Sequence, residues 1–224
     1  MSLKLYIGNR NYSSWSMRPW IALKWSGLDF SDEVRTIGGD VPGYGQARAA
    51  HILDVSPSGR VPVLHAGGER IYDSLAICEW IGEQVPELWP AESGARAMAR
   101  SACAEMHGGF MGLRRELPMN MRRRMSAPPP YPDDAARDID RVFALWSGLR
   151  ARFGEGGPFL FGRRSIADAF YAPVVSRLRT YAISGTAAIN DYIETISSDA
   201  AYREWETAAL KETWDMPGID GIYP

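Results

Sequence analysis

Cysteine and histidine are scarce in this chain of 224 residues, with two of the first and three of the second. Cys78 and Cys103 form neither a Cys-x-x-Cys pair nor a metal-ligand spacing. Both lie inside apolar helical patterns, so they are expected to be reduced core thiols in a reducing compartment. His51, His65 and His107 are too scattered for a metal centre or a catalytic triad, and no metal is expected. A glycine-rich phosphate loop and a Gly-x-Ser-x-Gly elbow are also missing. Eighteen apolar residues never run together, which excludes a transmembrane helix. The amino terminus, Met-Ser-Leu-Lys-Leu-Tyr-Ile, enters a strand pattern with no signal-peptide core, so a cytoplasmic location is expected. A net charge of −2 argues against nucleic acid as the partner. Apolar residues make up 46% of the chain, enough to bury a substantial core in one large or two modest domains.

The pattern divides near residue 90. Residues 3–8 read as a strand and 16–26 as a helix stopping at Gly27. Phe30 to Ile37 reads as a second strand, and Gly38-Gly39 to Gly45 as a loop. A short helical piece near 46–53 precedes the turn Ser56-Pro57-Ser58-Gly59. Strands at 61–65 and 69–72 flank the hairpin signal Ala66-Gly67-Gly68, and a helix runs from Ser74 to about Val85. Beyond Trp89-Pro90-Ala91 only helical patterns remain, at about 93–117, 133–153, 166–182, 187–196 and 199–214. A proline-rich stretch from Leu117 to Pro132 interrupts them, and the last ten residues read as a surface tail. The expected architecture is an α/β domain at 1–86, a linker at 87–92 and an all-α domain at 93–224.

Two short segments carry most of the chemistry. Pro62, set between Val61 and Val63, cannot donate a ladder hydrogen bond and is a poor central-strand residue. It suits the first position of a strand, or a cis-proline bend that turns the backbone N–H and C=O of Val61 towards a peptide-like ligand. Asp73-Ser74 opens the helix that follows, and a helix start is a ready carboxylate site. Asp at a helix N-cap also has the plainer reading of a cap. Ser165-x-x-Asp168 reads as a capping box, a structural device.

These features resemble the glutathione transferase superfamily over nearly the whole chain. The resemblance rests on Asn11-Tyr12-Ser13-Ser14-Trp15-Ser16-Met17-Arg18-Pro19-Trp20 after the first strand, on Val61-Pro62, and on Asp73-Ser74. In the helical half it rests on Phe159-Leu160-Phe161-Gly162 followed by Ser165-Ile166-Ala167-Asp168-Ala169. The serine-rich first motif is most similar to the zeta class, the maleylacetoacetate isomerases. That class carries cysteine where this chain has Trp15, and relatives usually place Glu or Gln where it has Asp73. The resemblance implies a thioredoxin-like first domain, glutathione as co-substrate and a homodimer. It also implies that Ser74 and its N–H hold the γ-glutamyl carboxylate while Asp73 accepts from the ammonium. Val61 and Pro62 complete the implied glutathione site, and Arg60 reads either as a contact for the glycyl or γ-glutamyl carboxylate or as a plain exposed arginine.

The resemblance places the catalytic hydroxyl most directly at Ser13, with Ser14 the close competitor, just before the first helix; the alternative is that both serines only cap it. A free thiol of pKa about 8.5 is about 3% ionised at pH 7. Lowering that pKa by two units requires roughly 2.7 kcal/mol. A hydrogen bond to a charged group supplies about 1.5–3 kcal/mol, and a helix start about 0.3–1 kcal/mol more. The two together suffice without a metal or a general base. With Ser16 as N-cap, Pro19 would fall in the first turn, where its missing N–H is harmless.

Leu113 to Met125 holds five arginines against one glutamate, with methionines interleaved. It reads either as the rim of an adaptable pocket for an anionic second substrate or as a solvated basic face. The resemblance places the electrophile between Tyr12 and Trp15 on one wall and Met106, Phe110, Met111 and Arg114 on the other. Arg177, Arg179 and Tyr181 either line that pocket or pack the end of their helix. The expected activity is glutathione conjugation to a soft electrophile. Glutathione-dependent cis–trans isomerisation is the enzymatic alternative, and a non-catalytic glutathione-binding module is the alternative of another class.

Overall fold

The computed structural model describes residues 2–37 and 50–223. The glycine- and proline-rich loop expected at 38–45, and the start of the helical piece expected at 46, lie outside them.

Strand β1 (Leu3–Ile7) and strand β2 (Phe30–Val34) pair in parallel through helix α1 (Ser14–Ser26). A hairpin of β3 (Val63–Ala66) and β4 (Glu69–Tyr72) joins antiparallel to β1, which gives the sheet order β2-β1-β3-β4. A parallel pair needs a crossover, and α1 supplies it. Alternation along β1 decides the layers. Leu3, Leu5 and Ile7 face α1 and α3 (Ser74–Gln84), packing in one core with Met17, Trp20, Ile21, Ile77 and Ile81. Tyr6 points the other way and meets Ile52 of the short helix α2 (Ala50–Leu53), with Val55 and Val63.

A 3₁₀ turn at Pro86–Leu88 leads into the helices: α4 (Ser93–Gly108), α5 (Met111–Glu116), α6 (Asp133–Phe153), α7 (Ile166–Thr180), α8 (Ala187–Ser198), α9 (Ala200–Leu210) and α10 (Pro217–Asp220). Helix α7 lies at the centre, with Arg179 the only one of its fifteen residues that is not buried, and packs on α1, α4 and α8. Its start is built as the capping box predicts. Asp168 accepts the Ser165 N–H at 2.9 Å and hydroxyl at 2.7 Å, the Leu160 N–H at 3.0 Å and the Tyr192 hydroxyl at 2.9 Å. Burial nevertheless pushes its carboxyl up to about 6 against those four donors.

Four expectations need correction. Helix α1 begins at Ser14, not 16, with Ser13 at the N-cap position. Pro19 is therefore the sixth helical residue, and its missing N–H leaves the Trp15 carbonyl without the usual i+4 partner. The helix expected at 93–117 is two helices. Gly108 ends the first, and Phe110 turns the chain in the left-handed region at φ 58. The second strand stops at Val34. Finally, the closing residues are no simple surface tail. They form α10, which buries Met216 and Ile219 against Tyr12.

Candidate glutathione site

The loop after β1 is fixed from three directions. The Asn9 carbonyl accepts the N–H groups of Tyr12 at 3.1 Å and Ser13 at 2.8 Å. Glu212 accepts those of Arg10 at 2.7 Å and Asn11 at 3.0 Å. The Asn11 side chain takes the Arg122 N–H at 2.8 Å. The adjacent serines therefore enter α1 with set orientations, and their hydroxyls point to different partners.

Ser13 donates to Ser16 Oγ at 2.8 Å, and that oxygen also takes the Gly8 N–H at 3.0 Å. Although it stands at the N-cap, the Ser13 side chain makes no capping bond. Ser14 turns towards α7, where its Oγ accepts from Arg177 Nη2 at 3.3 Å. Accepting from a guanidinium leaves the Ser14 hydrogen available to donate. Both serines and Arg177 are buried.

Trp15 is the partly exposed centre of the next cluster. The guanidinium of Arg18 lies 4.3 Å from its ring, that of Arg114 at 4.8 Å, and the His107 ring meets it edge-on at 5.1 Å. Arg114 also donates to the carbonyls of Gly109 and Met106, which ties the α4–α5 break to this wall. His107 Nε2 reaches Asp73 Oδ2 at 3.3 Å. Burial holds the His107 imidazole below its ordinary pKa, opposed by Asp73.

The Val61–Pro62 peptide bond is cis. Asp73 has φ 74, a region in which a residue with a side chain is strained by about 1–3 kcal/mol. It caps α3 by accepting the Leu75 N–H at 2.8 Å, so the plain capping role is present whatever else Asp73 does. Ser74 is buried beside it, with Arg18 Nη1 at 3.5 Å from its hydroxyl. Arg60 is exposed at the surface.

The remaining candidates separate. Tyr12 is 1% exposed, and its hydroxyl donates to Asp220 at 2.8 Å while accepting from Arg122 at 2.8 Å. It therefore holds the C-terminal segment and does not face a pocket. Met106 and Phe110 are in the core, whereas Met111 is 64% exposed. The arginine-rich stretch is engaged too. Arg122 pairs with Asp215, Arg123 donates to the Asp220 carbonyl, and Arg124 pairs with Glu206. Arg179 pairs with Glu206 as well, and the Tyr181 hydroxyl donates to the Pro118 carbonyl. Nothing in the sequence gives Arg18 a role beyond the motif or settles that of Arg177; the α1–α7 contact places Arg177 behind Ser14, and the α1–α3 contact places Arg18 behind Ser74.

Models of the glutathione S-transferase N-terminal and C-terminal domains match residues 12–84 and 132–211. The chain belongs to the glutathione S-transferase superfamily. A zeta-class glutathione S-transferase from Euphorbia esula is 29% identical over 176 residues, covering 77% of this chain and 74% of the relative. Among solved structures, a glutathione transferase homolog from Burkholderia with bound glutathione superposes with a TM-score of 0.68. It is 22% identical, covering 94% of this chain and 99% of that one. A theta-class enzyme from Xanthomonas axonopodis pv. citri, with glutathione bound, gives 0.66 at 19% identity over 93% and 99% of the two chains. The thioredoxin-like first domain and the helical second domain are those of this superfamily.

Proposed function

We propose that the protein binds glutathione, holds it as the thiolate and conjugates it to a soft electrophilic small molecule. In this reading the cis bend at Val61–Pro62 pairs with the cysteinyl backbone. Ser74 and Asp73 receive the carboxylate and ammonium of the γ-glutamyl end, and Arg60 reaches a carboxylate from the rim. The sulfur lies at the start of α1.

One observation carries the chemistry: the Ser14 hydroxyl accepts from the buried guanidinium of Arg177 while retaining a hydrogen to give. A hydroxyl so polarised is a better donor to a thiolate than the Ser13 hydroxyl, whose hydrogen already goes to Ser16. The gain from ionisation is capped at about 30-fold between an ordinary thiol and a fully ionised one at pH 7. Positioning of the electrophile against Trp15 must supply the rest. Arg114 over Trp15 puts positive charge at that wall, which favours an electrophile carrying a negative group. Met106, Phe110 and Met111 belong to the same turn of chain.

Glutathione-dependent cis–trans isomerisation is a second reading, favoured by the zeta-class relative; Trp15 stands where that class carries cysteine. The protein is proposed to work in the cytoplasm as a homodimer.

Calorimetric titration with glutathione, followed by steady-state conjugation to an activated aryl halide and to an unsaturated carboxylate, tests the proposal. Binding with turnover on either supports it. Binding without turnover on a panel of electrophiles would instead support a non-catalytic glutathione-binding module.

A further inference from the structure

Arg10 and Asn11 belong to the α/β domain, yet their backbone finds its partners in the other half of the chain. The Arg10 N–H donates to Glu212 Oε1 at 2.7 Å, and the Asn11 N–H to Glu212 Oε2 at 3.0 Å. The Arg10 carbonyl accepts the Trp205 indole N–H at 3.0 Å, and the Asn11 carbonyl accepts the Met121 N–H at 3.3 Å. Each backbone polar group of this pair is therefore taken by residue 121, 205 or 212. Asn11 is fully buried, so its N–H cannot turn to water instead.

Consecutive N–H groups turned to one side make an anion-binding concavity. Glu212 fills it with one carboxylate oxygen for each donor. Its own place is set in turn. The Glu212 carbonyl accepts from Arg122 Nη1 at 3.0 Å, while the Arg122 N–H goes to the Asn11 side chain at 2.8 Å. Trp205 of α9 also meets Trp20 of α1 edge-on at 5.3 Å, so the helical domain grips α1 as well as the loop before it. Ser13 and Ser14 follow directly. The Ser14 contact to Arg177, at 3.3 Å, lies at the long end of a hydrogen bond and tolerates little displacement.

We propose that Glu212 is a positioning residue for the thiolate site: its carboxylate sets the loop that places the Ser14 hydroxyl between Arg177 and the sulfur. The inference rests on the thiolate reading. It adds that the activating serine is held from the helical domain, through the backbone of Arg10 and Asn11. None of the Glu212 hydrogen bonds reaches Val61–Pro62 or Ser74. Glu212 should therefore govern ionisation of the bound thiol without governing binding of the peptide that carries it.

The test separates those two quantities in the full chain. The thiol pKa of bound glutathione is read from thiolate absorbance. Peptide affinity is read by calorimetry with S-methylglutathione, which has no thiol to ionise. Glu212→Ala should raise the thiol pKa by about 0.5–1 unit and keep the S-methylglutathione affinity within about twofold of the wild type. Glu212→Gln, with one acceptor oxygen where glutamate has two, should raise it by less. In a Ser14→Ala background Glu212→Ala should add little, because both act on one donor. An unmoved pKa, or a shift that adds in full to that of Ser14→Ala, would overturn the inference. So would a parallel loss of S-methylglutathione affinity by about tenfold, the mark of a merely structural role. Should Glu212→Ala fail to fold, Glu212→Gln carries the same comparison, and failure of both also marks a structural role. A wild type that binds S-methylglutathione but leaves the thiol of glutathione at its free pKa overturns the thiolate reading itself, and the inference with it.

Discussion

Ser13 and Ser14 are neighbours of the same chemistry, and their difference lies in what each hydroxyl already holds. Ser13 is closed into a ring with Ser16 and the Gly8 N–H, whereas Ser14 is polarised by Arg177. Arg18 repeats the second arrangement at Ser74, with a longer contact and no neutralising partner among the described residues. A buried guanidinium lacking acceptors opposes folding in the absence of ligand, so replacing it with an apolar side chain of similar length should stabilise the free protein. Arg18→Met is expected to raise the melting temperature of the ligand-free protein by about 2–4 °C per kcal/mol recovered. It should also reduce the further increase that glutathione produces. Differential scanning calorimetry with and without glutathione checks both. A lowered melting temperature in the free variant would show that the aromatic contacts to Trp15 and Phe170 outweigh the missing acceptors.

Among the elements, α7 contributes most, because one helix supplies both the central packing and Arg177. Its first turn depends on Asp168, whose carboxyl burial raises from 3.8 to about 6. A raised acid favours the folded state most when protonated: the contribution is fully present below the unfolded pKa and is lost as pH rises through the folded one. Between about pH 4 and 6, therefore, this group makes stability fall with rising pH. The wild type should gain on Asp168→Asn by roughly 2–3 kcal/mol as pH drops from 7.5 to about 4. Urea unfolding of both proteins at the two pH values measures that gap, and a gap that narrows on acidification would reverse the assigned sign.

Much at this scale was legible beforehand. The capping box, the Gly27 stop and the hairpin at Gly67-Gly68 are local signals with local causes. The cis bend at Val61–Pro62 is one of the two readings that a proline unable to donate to a ladder allows. The break between α4 and α5 was hidden, because Phe110 reads as a helical core residue and nothing local demands its left-handed turn. Gly112 was also silent. A Cβ there would stand 2.7 Å from the Asp134 backbone, so glycine lets α5 lie against the start of α6 and sets Arg114 beside Trp15. Long-range partners explain the rest: Tyr12 pairs with Asp220, 208 residues away, and Ser14 with Arg177, 163 away.

In the whole molecule, the C-terminal segment closes on the first motif. Glu212, Asp215 and Asp220 engage Arg10, Asn11, Tyr12 and Arg122, and Arg122 and Arg123 of the arginine-rich stretch serve this closure. Asp220→Ala removes acceptors from Tyr12, Asn120 and the Met216 N–H at once. It is expected to destabilise the fold by about 2–4 kcal/mol through unpaired buried donors. It should also open the segment after Leu210 to limited proteolysis; unchanged resistance would show that the clasp contributes little. The site spans both halves of the chain, with Ser14 from the α/β domain and its charged support from the helical domain. The pKa of bound glutathione, followed by thiolate absorbance in the wild type, Ser14→Ala, Arg177→Met and the double variant, tests this most directly. The wild-type thiol should lie well below the free value of about 8.5. Each single variant should raise it by about one unit, and the double variant by little more than either. An unshifted thiol in the wild type, or a response to Ser13→Ala alone, would contradict it.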